Sequence, residues 1–423
     1  MTRVLLTGGS GFIAAHVLDI LLKNGHSVVT TVRSQQKADK IKEAHPTYGK
    51  DKLDFAIVED IAKEDAFENA VKSDPPFEAV IHTASPFHYN VTDPMKDLIN
   101  PAVIGTTGVL KSVKKHAPTV KKVVITSSFA AIVNPSKGNW PEHTYSEADW
   151  NPSTLEDAVK DTMNAYRVSK TLAEKSAWDF VEKESPNFKV ATINPPMVYG
   201  PVVHYLNSLD ALNTSNQRIR DAILGKWKEE IPPTGGFCWV DVRDVGLAHV
   251  RAMERPEADQ KRFFVTAGGY SNREMVEVIR KHFPEYQDQL PGPDAPGGGY
   301  PEEGSFKFVQ FYYKTFDENR GGLQALYRPQ SMLTFESNAV QGTDGIMERL
   351  TTLPFQKVVH QVATLDAQPA SEDGAILVLV TGALLVDEEG RPMSYTQAFT
   401  LRPDGAGSYF VFNDVFRLVY PAA

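Results

Sequence analysis

Short runs of β-branched residues alternate with amphipathic stretches through the first two-thirds of the chain. The runs VLLTG at 4–8, HSVVTTVR at 26–33, FAIVED at 55–60, AVIHTAS at 79–85, KVVITSS at 122–128 and KVATINP at 189–195 read as buried strands. Stretches such as AAHVLDILLKNG between them carry helical period. This alternation predicts an α/β fold: a doubly wound, Rossmann-type parallel sheet. From Phe308 the rhythm changes. FVQFYYKTFDENRGGLQALY is helical in period, and long strands with period-two alternation follow. In YFVFNDVFRLVY that period sets Phe410, Phe412, Phe416, Leu418 and Tyr420 on one face. The turn signals DEEGRP and RPDGAG separate successive strands, so an antiparallel sheet with helices on one side is expected. The domains are therefore 1–307, α/β, and 308–423, α+β.

Length agrees, since 423 residues exceed the usual size of one core. A net charge of -9 with no basic run speaks against nucleic acid or an anionic membrane as the main partner. The single cysteine, Cys238, excludes an internal disulfide framework and fits a reducing compartment. Beside Trp239 it reads as a small core residue. MTRVLLTGG enters a strand at once, leaving no room for a signal peptide. The longest apolar run, AILVLVTGALLV at 375–386, is too short to span a bilayer. A cytoplasmic protein without membrane insertion is expected, and no metal.

Three features carry chemistry. The turn TGGSGFIAAH sets Gly8, Gly11 and Ala14 between the first strand and the first helix. Glycine there permits a tight turn and close approach of a pyrophosphate to the helix N-terminus, so Gly8, Gly11, Phe12 and Ile13 are expected to line a dinucleotide. The second strand ends in Arg33, with Lys37 one turn on, where binding of NAD usually calls for an acid. Two cations suit a 2′-phosphate, favouring NADPH. Asp60 and Ile61 would flank the adenine. YRVSK places Tyr166 and Lys170 four apart, on one helix face. An ammonium beside a phenol stabilises the phenolate, which makes Tyr166 a proton donor to a carbonyl and leaves Lys170 able to bond the nicotinamide ribose. Ser128, at the end of a strand in ITSSFAA, would bond the carbonyl oxygen. Ser127 competes for that role.

Together TGGSGFIAAHV, VIHTASPF, NPAVIGTTGVL, VVITSSFAA, YRVSK, NPPMVYGP and GGFCWVDVRDVGLAHV resemble the extended short-chain dehydrogenase/reductases, notably the fungal NADPH-dependent aldehyde and ketone reductases and plant dihydroflavonol reductases. The resemblance implies a small additional substrate lobe beside the sheet, and a Ser128, Tyr166 and Lys170 triad. It rests the nicotinamide amide near Pro195 and Val198, and passes Thr83, Ala84 and Ser85 beneath the cofactor. It also implies Phe87 and Phe129 as walls of a pocket for an aldehyde or ketone. A nucleotide-sugar epimerase or dehydratase retaining NAD is the rival within this fold, and Arg33 speaks against it.

Residues 308–423 resemble the nuclear transport factor 2 family through FYYKTFDENR, LYRPQSMLTFES, LPFQKVVHQVATLDAQP and YFVFNDVFRLVY. That resemblance implies a cone-shaped fold, a homodimer, FG-nucleoporin contact and binding of Ran-GDP through Glu336, Asp387 and Glu389, with Phe335 as the associated aromatic. Access to the nuclear envelope and nucleus would follow. By chemistry alone 387–389 is a solvated turn. A small-molecule enzyme with an acid-lined cavity is the rival reading of this fold, and no buried-acid motif singles it out. At the junction GGGYPEEGSFKF, the first domain is expected to lack its last strand and helix, and the second about ten initial residues. A transport protein carrying an inactive reductase is the remaining alternative.

Overall fold

The computed structural model describes the chain apart from residues 86–90, 139–142, 204–205, 207, 300–304, 356, 372–373, 388–391, 405–408 and 420–423. It forms two compact units, Met1–Ser136 with Tyr145–Pro301, and Lys137–Thr144 with Glu302–Ala423.

The first unit opens with β1 (Arg3–Thr7), α1 (Phe12–Lys23), β2 (Ser27–Val32), α2 (Gln35–Ala44), β3 (Leu53–Ile57) and β4 (Ala79–His82). It continues with α3 (Asn100–His116), β5 (Lys122–Thr126), α4 (Leu155–Ala158), α5 (Thr162–Glu184), β6 (Lys189–Asn194) and β7 (Met197–Tyr199). Then follow α6 (Thr214–Ile223), β8 (Cys238–Asp241), α7 (Val242–Glu254), β9 (Lys261–Phe264), β10 (Gly268–Gly269) and α8 (Asn272–His282). Seven strands pair in parallel in the order β3-β2-β1-β4-β5-β6-β9. The near-continuous apolar runs of the sequence reflect burial on both sheet faces. Val4 and Leu6 of β1 pack with Val17 and Leu18 of α1 and Val245 of α7. Leu5 points the other way, into a cluster with Val109 and Val113 of α3 and Phe180 of α5. A smaller sheet, β10-β8-β7, accompanies a separate cluster of Ala222, Trp227, Ile231, Val276, Ile279 and Leu290. That is the expected additional lobe.

The second unit contains α9 (Ser305–Glu318), β11 (Met332–Phe335), β12 (Asn338–Gln341) and α10 (Thr343–Thr351). Four long strands complete it: β13 (Val358–Pro369), β14 (Ile376–Val386), β15 (Met393–Pro403) and β16 (Tyr409–Leu418). The change of pattern that the sequence sets at Phe308 falls within the first turn of α9. Aromatic residues of α9, Tyr312, Tyr313 and Phe316, pack on the sheet with Phe399, Val411 and Phe416.

Two expectations are corrected here. The sheet, β12-β11-β16-β15-β14-β13, is mixed, because β11 pairs with β16 in parallel. A helix and four strands separate the two in sequence, so no hairpin constrains their relative direction. Nor do the aromatics of β16 share one face. Thr400 pairs with Asn413 but Leu401 pairs with Val411, so Phe412 is the extra residue of a bulge. A one-residue slip inverts the side-chain alternation. Val411, Asp414 and Phe416 consequently face inward, while Phe410 and Phe412 pack edge to face with each other outside that core, under Arg328 and Arg402.

Candidate active site

The parallel strands of the first unit end together on one edge, and the turn after β1 forms its floor. Gly8 has φ +76°, and a Cβ there would lie 2.9 Å from Ala84 Cα. Gly11 caps α1 without any side-chain bond, and the first turn of that helix carries no acid. Its leading N–H groups are therefore open to an anion, backed by the helix dipole. Phe12 and Ile13 begin the helix. Gly9, which the sequence reading passed over, is required for packing: its Cβ would fall 2.1 Å from Thr30 Oγ1. Arg33 is exposed just beyond β2, and Lys37 lies in the first turn of α2, whose cap Ser34 makes no side-chain bond. Neither cation has an ion-pair partner among the described residues. A bare helix start and two cations fit a pyrophosphate and a 2′-phosphate respectively.

Asp60 is exposed and accepts a bond from the Ala62 amide at 2.9 Å, which shapes the turn after β3. Ile61 is half-buried over Gly105 of α3. After β4, the Thr83 hydroxyl donates to the Thr7 carbonyl at 2.6 Å and the Ala84 amide to Thr7 Oγ1 at 3.2 Å. These bonds bring Ala84 against the glycine turn and leave Ser85 to accept from Lys170 Nζ at 2.9 Å.

Tyr166 and Lys170 both lie on α5, one turn apart. The Tyr166 hydroxyl is 3.5 Å from Ser128 Oγ, and Lys170 Nζ is 5.9 Å from the centroid of the Tyr166 ring. Burial lowers the Lys170 ammonium to about 8, against the raising influence of Glu174. His82, beneath the site at the end of β4, bonds Thr7 Oγ1 at 2.8 Å and is pushed down to about 3, chiefly by burial. It is thus neutral near pH 7. The two serines separate cleanly. Ser127 follows the alternation of Val123 and Ile125 toward α5 and donates to the Glu174 carboxylate. Ser128 emerges at the sheet edge, where its Oγ accepts from the Ala130 amide and meets Tyr166.

Around these groups, Phe129 stacks on Phe264 at 4.8 Å and meets Tyr145 edge to face at 5.5 Å. Phe264 and Tyr145 carried no signal in the sequence. Phe87 lies outside the described residues. The Pro195 carbonyl accepts from the Phe129 amide at 2.9 Å. At Val198 the amide donates to Ser215 Oγ at 3.1 Å and the carbonyl accepts from Asn213 at 3.1 Å. What Val198 offers a nicotinamide is accordingly a remaining carbonyl lone pair and an apolar side chain.

Glu174 is the group that sequence reading missed here. It stands four residues beyond Lys170, and that spacing was the available signal. Asp414 is its counterpart in the second unit, where two tyrosines and Gln397 bond its carboxylate. An acid at even spacing from Phe416 inside an apolar strand was legible as a buried carboxylate, contrary to the expectation that no such motif is present.

In the second unit Phe335 stacks on Phe416 at 4.5 Å, with Arg349 over its ring at 5.7 Å. Glu336, at φ +54°, accepts from the Leu418 amide at 2.5 Å. Asp387, exposed and at φ +49°, accepts from the Lys357 amide at 2.8 Å. The register puts both acids at one end of the sheet, since Phe335 pairs with Phe416, Tyr395 with Leu418, Met393 with Leu384 and Val358 with Val386. Glu389 lies outside the described residues. Among the described residues no cluster of His, Cys, Asp or Glu could hold a metal, and no helix is long and apolar enough to cross a membrane.

Residues 4–267 match the model of the NAD dependent epimerase/dehydratase family, and residues 304–418 match that of the nuclear transport factor 2 domain. A ketoreductase, azaE, of Aspergillus niger is 48% identical over 295 residues, covering 70% of this chain and 86% of its own. Nuclear transport factor 2 of Emericella nidulans is 72% identical over 116 residues, 27% of this chain and 93% of its own. The crystal structure of yeast methylglyoxal/isovaleraldehyde reductase Gre2 complexed with NADPH superposes with a TM-score of 0.63. It is 34% identical and covers 70% of this chain and 90% of its own.

Proposed function

Because the chain belongs to the NAD dependent epimerase/dehydratase family, we propose that its first unit reduces an aldehyde or ketone with NADPH. The approach of Tyr166 to Ser128, with Lys170 one turn behind, carries this reading. The glycine turn at Gly8 and Gly11, with Phe12 and Ile13, would hold the pyrophosphate. Arg33 and Lys37 would hold the 2′-phosphate, Asp60 and Ile61 the adenine. Thr83, Ala84 and Ser85, with Lys170, would hold the ribose, and Pro195 and Val198 the nicotinamide. NADPH, when bound, supplies the hydride. Ser128 then donates a hydrogen bond to the substrate oxygen, and Tyr166 gives that oxygen its proton. Lys170 keeps positive charge beside the phenolate left behind. Phe129, with Phe264 and Tyr145, would provide an aromatic wall for the substrate. The name and NADPH complex of the Gre2 relative, and the cations at Arg33 and Lys37, support this cofactor over NAD.

The test is Tyr166→Phe. Turnover of a carbonyl panel, followed as NADPH oxidation, should fall at least roughly a hundredfold, the scale of a lost general acid. Fluorescence titration should find NADPH affinity nearly unchanged. A Tyr166→Phe protein turning over at the parental rate would move the proton donor elsewhere.

The second unit belongs to the nuclear transport factor 2 family, and we read it as a Ran-GDP-binding, self-associating module. The placement of Phe335, Glu336 and Asp387 at one sheet end supports a shared docking edge. Val359, Val362, Leu377, Leu379 and Val415, on the sheet face turned from the core, are each at least 40% exposed. An apolar face of that kind favours a second copy. Such a module would give a cytoplasmic enzyme a route to FG nucleoporins and the nucleus. Immobilised Ran-GDP should retain the full chain better than Ran-GTP does, and Asp387→Ala should weaken retention without altering the thermal melt. Equal retention of parent and variant would remove Asp387 from the contact.

A further inference from the structure

Glu174 has no part in the proton transfer just described, yet its carboxylate is the most heavily bonded group behind the site. Its side chain is wholly withdrawn from water. It accepts from Ser127 Oγ, from Asn194 Nδ2 at 2.6 Å, from Arg262 Nε at 2.6 Å, from Thr192 Oγ1 at 3.1 Å and from Trp178 Nε1 at 3.3 Å. These donors come from β5's end, β6, β9 and α5 itself. Asn194 also donates to the Ser128 carbonyl at 3.3 Å. One carboxylate therefore ties the strand end that presents Ser128 to the helix that presents Tyr166 and Lys170. Arg262 reaches it because β9 pairs with β6 in parallel, with Arg262 opposite Thr192. The guanidinium is fixed in turn by the Glu147 and Asp149 carbonyls at 2.7 and 2.6 Å, and by the Trp150 ring, whose centroid is 3.7 Å away.

A buried charge is costly, and here the Arg262 guanidinium and four neutral donors offset that cost. The carboxylate stands one helical turn from Lys170, on the same face, in a dry interior where charge acts at short range. We propose that Glu174 is the positioning residue of this site: it holds Ser128 in register with Tyr166 and sets a negative charge behind the Lys170 ammonium. This rests on the reading of Tyr166, Ser128 and Lys170 given above.

Other titratable groups stand on the elements packed around α5. His82 from β4 is neutral near pH 7, and Arg262 from β9 is opposed to Glu174 itself. His249 of α7 bonds Thr126 and is kept neutral, at about 4, mainly by burial. On the neighbouring α3, Lys114 pairs with Glu184 and Lys115 with Glu68, and in the turn before it Asp97 bonds Thr92. On α5 itself, Arg167 bonds Asn164 and Lys175 lies over Trp150.

Replacing the carboxylate by an amide leaves Lys170 facing an unbalanced Arg262 and makes its ammonium easier to deprotonate. In Glu174→Gln the alkaline limb of kcat/KM for carbonyl reduction should therefore move to lower pH, by about one unit. At pH 7 kcat should fall about tenfold with KM within about threefold, the pattern of lost alignment rather than lost binding. Glu174→Asp keeps the charge but shortens its reach. It should lower kcat with the limb in the parental position, and it carries the test if the amide variant fails to fold. A pH profile of Glu174→Gln that coincides with the parent's, or a shifted limb in Glu174→Asp, overturns the proposal. Tyr166→Phe is assayed alongside. If that variant stays active, the underlying reading of the acid falls and the proposal with it. If it is inactive while the Glu174→Gln limb is unmoved, only the role of Glu174 is lost.

Discussion

Glu174 in the first unit and Asp414 in the second are both carboxylates removed from water, yet they are satisfied by different means. Glu174 faces the Arg262 guanidinium as well as neutral donors. Among the bonds that Asp414 receives there is no cation: Tyr312 and Tyr327 donate to one oxygen, each at 2.8 Å, and Gln397 to the other at 2.7 Å. Burial raises the Asp414 carboxyl to about 6, and the Gln397, Tyr327 and Tyr312 bonds work against that rise. A compensated charge retains its field on its neighbours, which suits a site built around an ammonium. A carboxylate held by neutral dipoles gives α9 and the sheet a directional link, and links folding of that unit to pH.

The largest effect should come from breaking the compensated pair. Arg262→Leu leaves Glu174 buried without its cation and should cost about 3–5 kcal/mol. Urea unfolding of the full chain measures it, on the transition that NADPH displaces, since a ligand stabilises only the unit that binds it. A loss below about 1 kcal/mol would mean the pair is solvated in practice.

Asp414 should show a smaller and pH-dependent effect. Its folded value near 6 lies above the unfolded carboxyl value of 3.8, so the folded unit binds more protons between them. Stability contributed by protonating this group is complete below the unfolded value and is lost as pH rises through about 6. Asp414→Asn cannot titrate there. Relative to the parent, its stability should improve from pH 4 to pH 7 by up to about 3 kcal/mol. The transition that NADPH leaves in place reports this, and parallel curves for the two proteins would refute it.

The smallest effect is at the exposed Arg33. Arg33→Ala should reduce the preference for NADPH over NADH by about 1–2 kcal/mol, read from paired fluorescence titrations. It should leave both unfolding transitions in place, because the side chain is exposed. Unchanged preference would remove Arg33 from the phosphate.

Much of this was local and therefore legible. Strands β1 to β6 of the first unit and the helices among them follow from apolar period, and the turn after β1 from glycine spacing. Tyr166 and Lys170 share a face because four residues make about one helical turn. The antiparallel hairpins of β13 to β16 follow from alternation broken at turns. Chemistry alone left Ser127 and Ser128 open and only the resemblance favoured Ser128, because the physical distinction depends on a carboxylate 47 residues away, which takes the Ser127 hydroxyl. Arg262, 88 residues from Glu174, reaches it only through the parallel pairing of β9 with β6. The bulge at Phe412 moved two aromatics off the face that period two assigned them. The sequence by itself determined strands β1 to β6, the glycine turn after β1 and the one-turn spacing of Tyr166 and Lys170, since each is set by neighbours within a few bonds or one helical turn. Tertiary structure decided which serine meets Tyr166, which acids are buried and how each is compensated, because desolvation depends on what distant segments bring to the same interior.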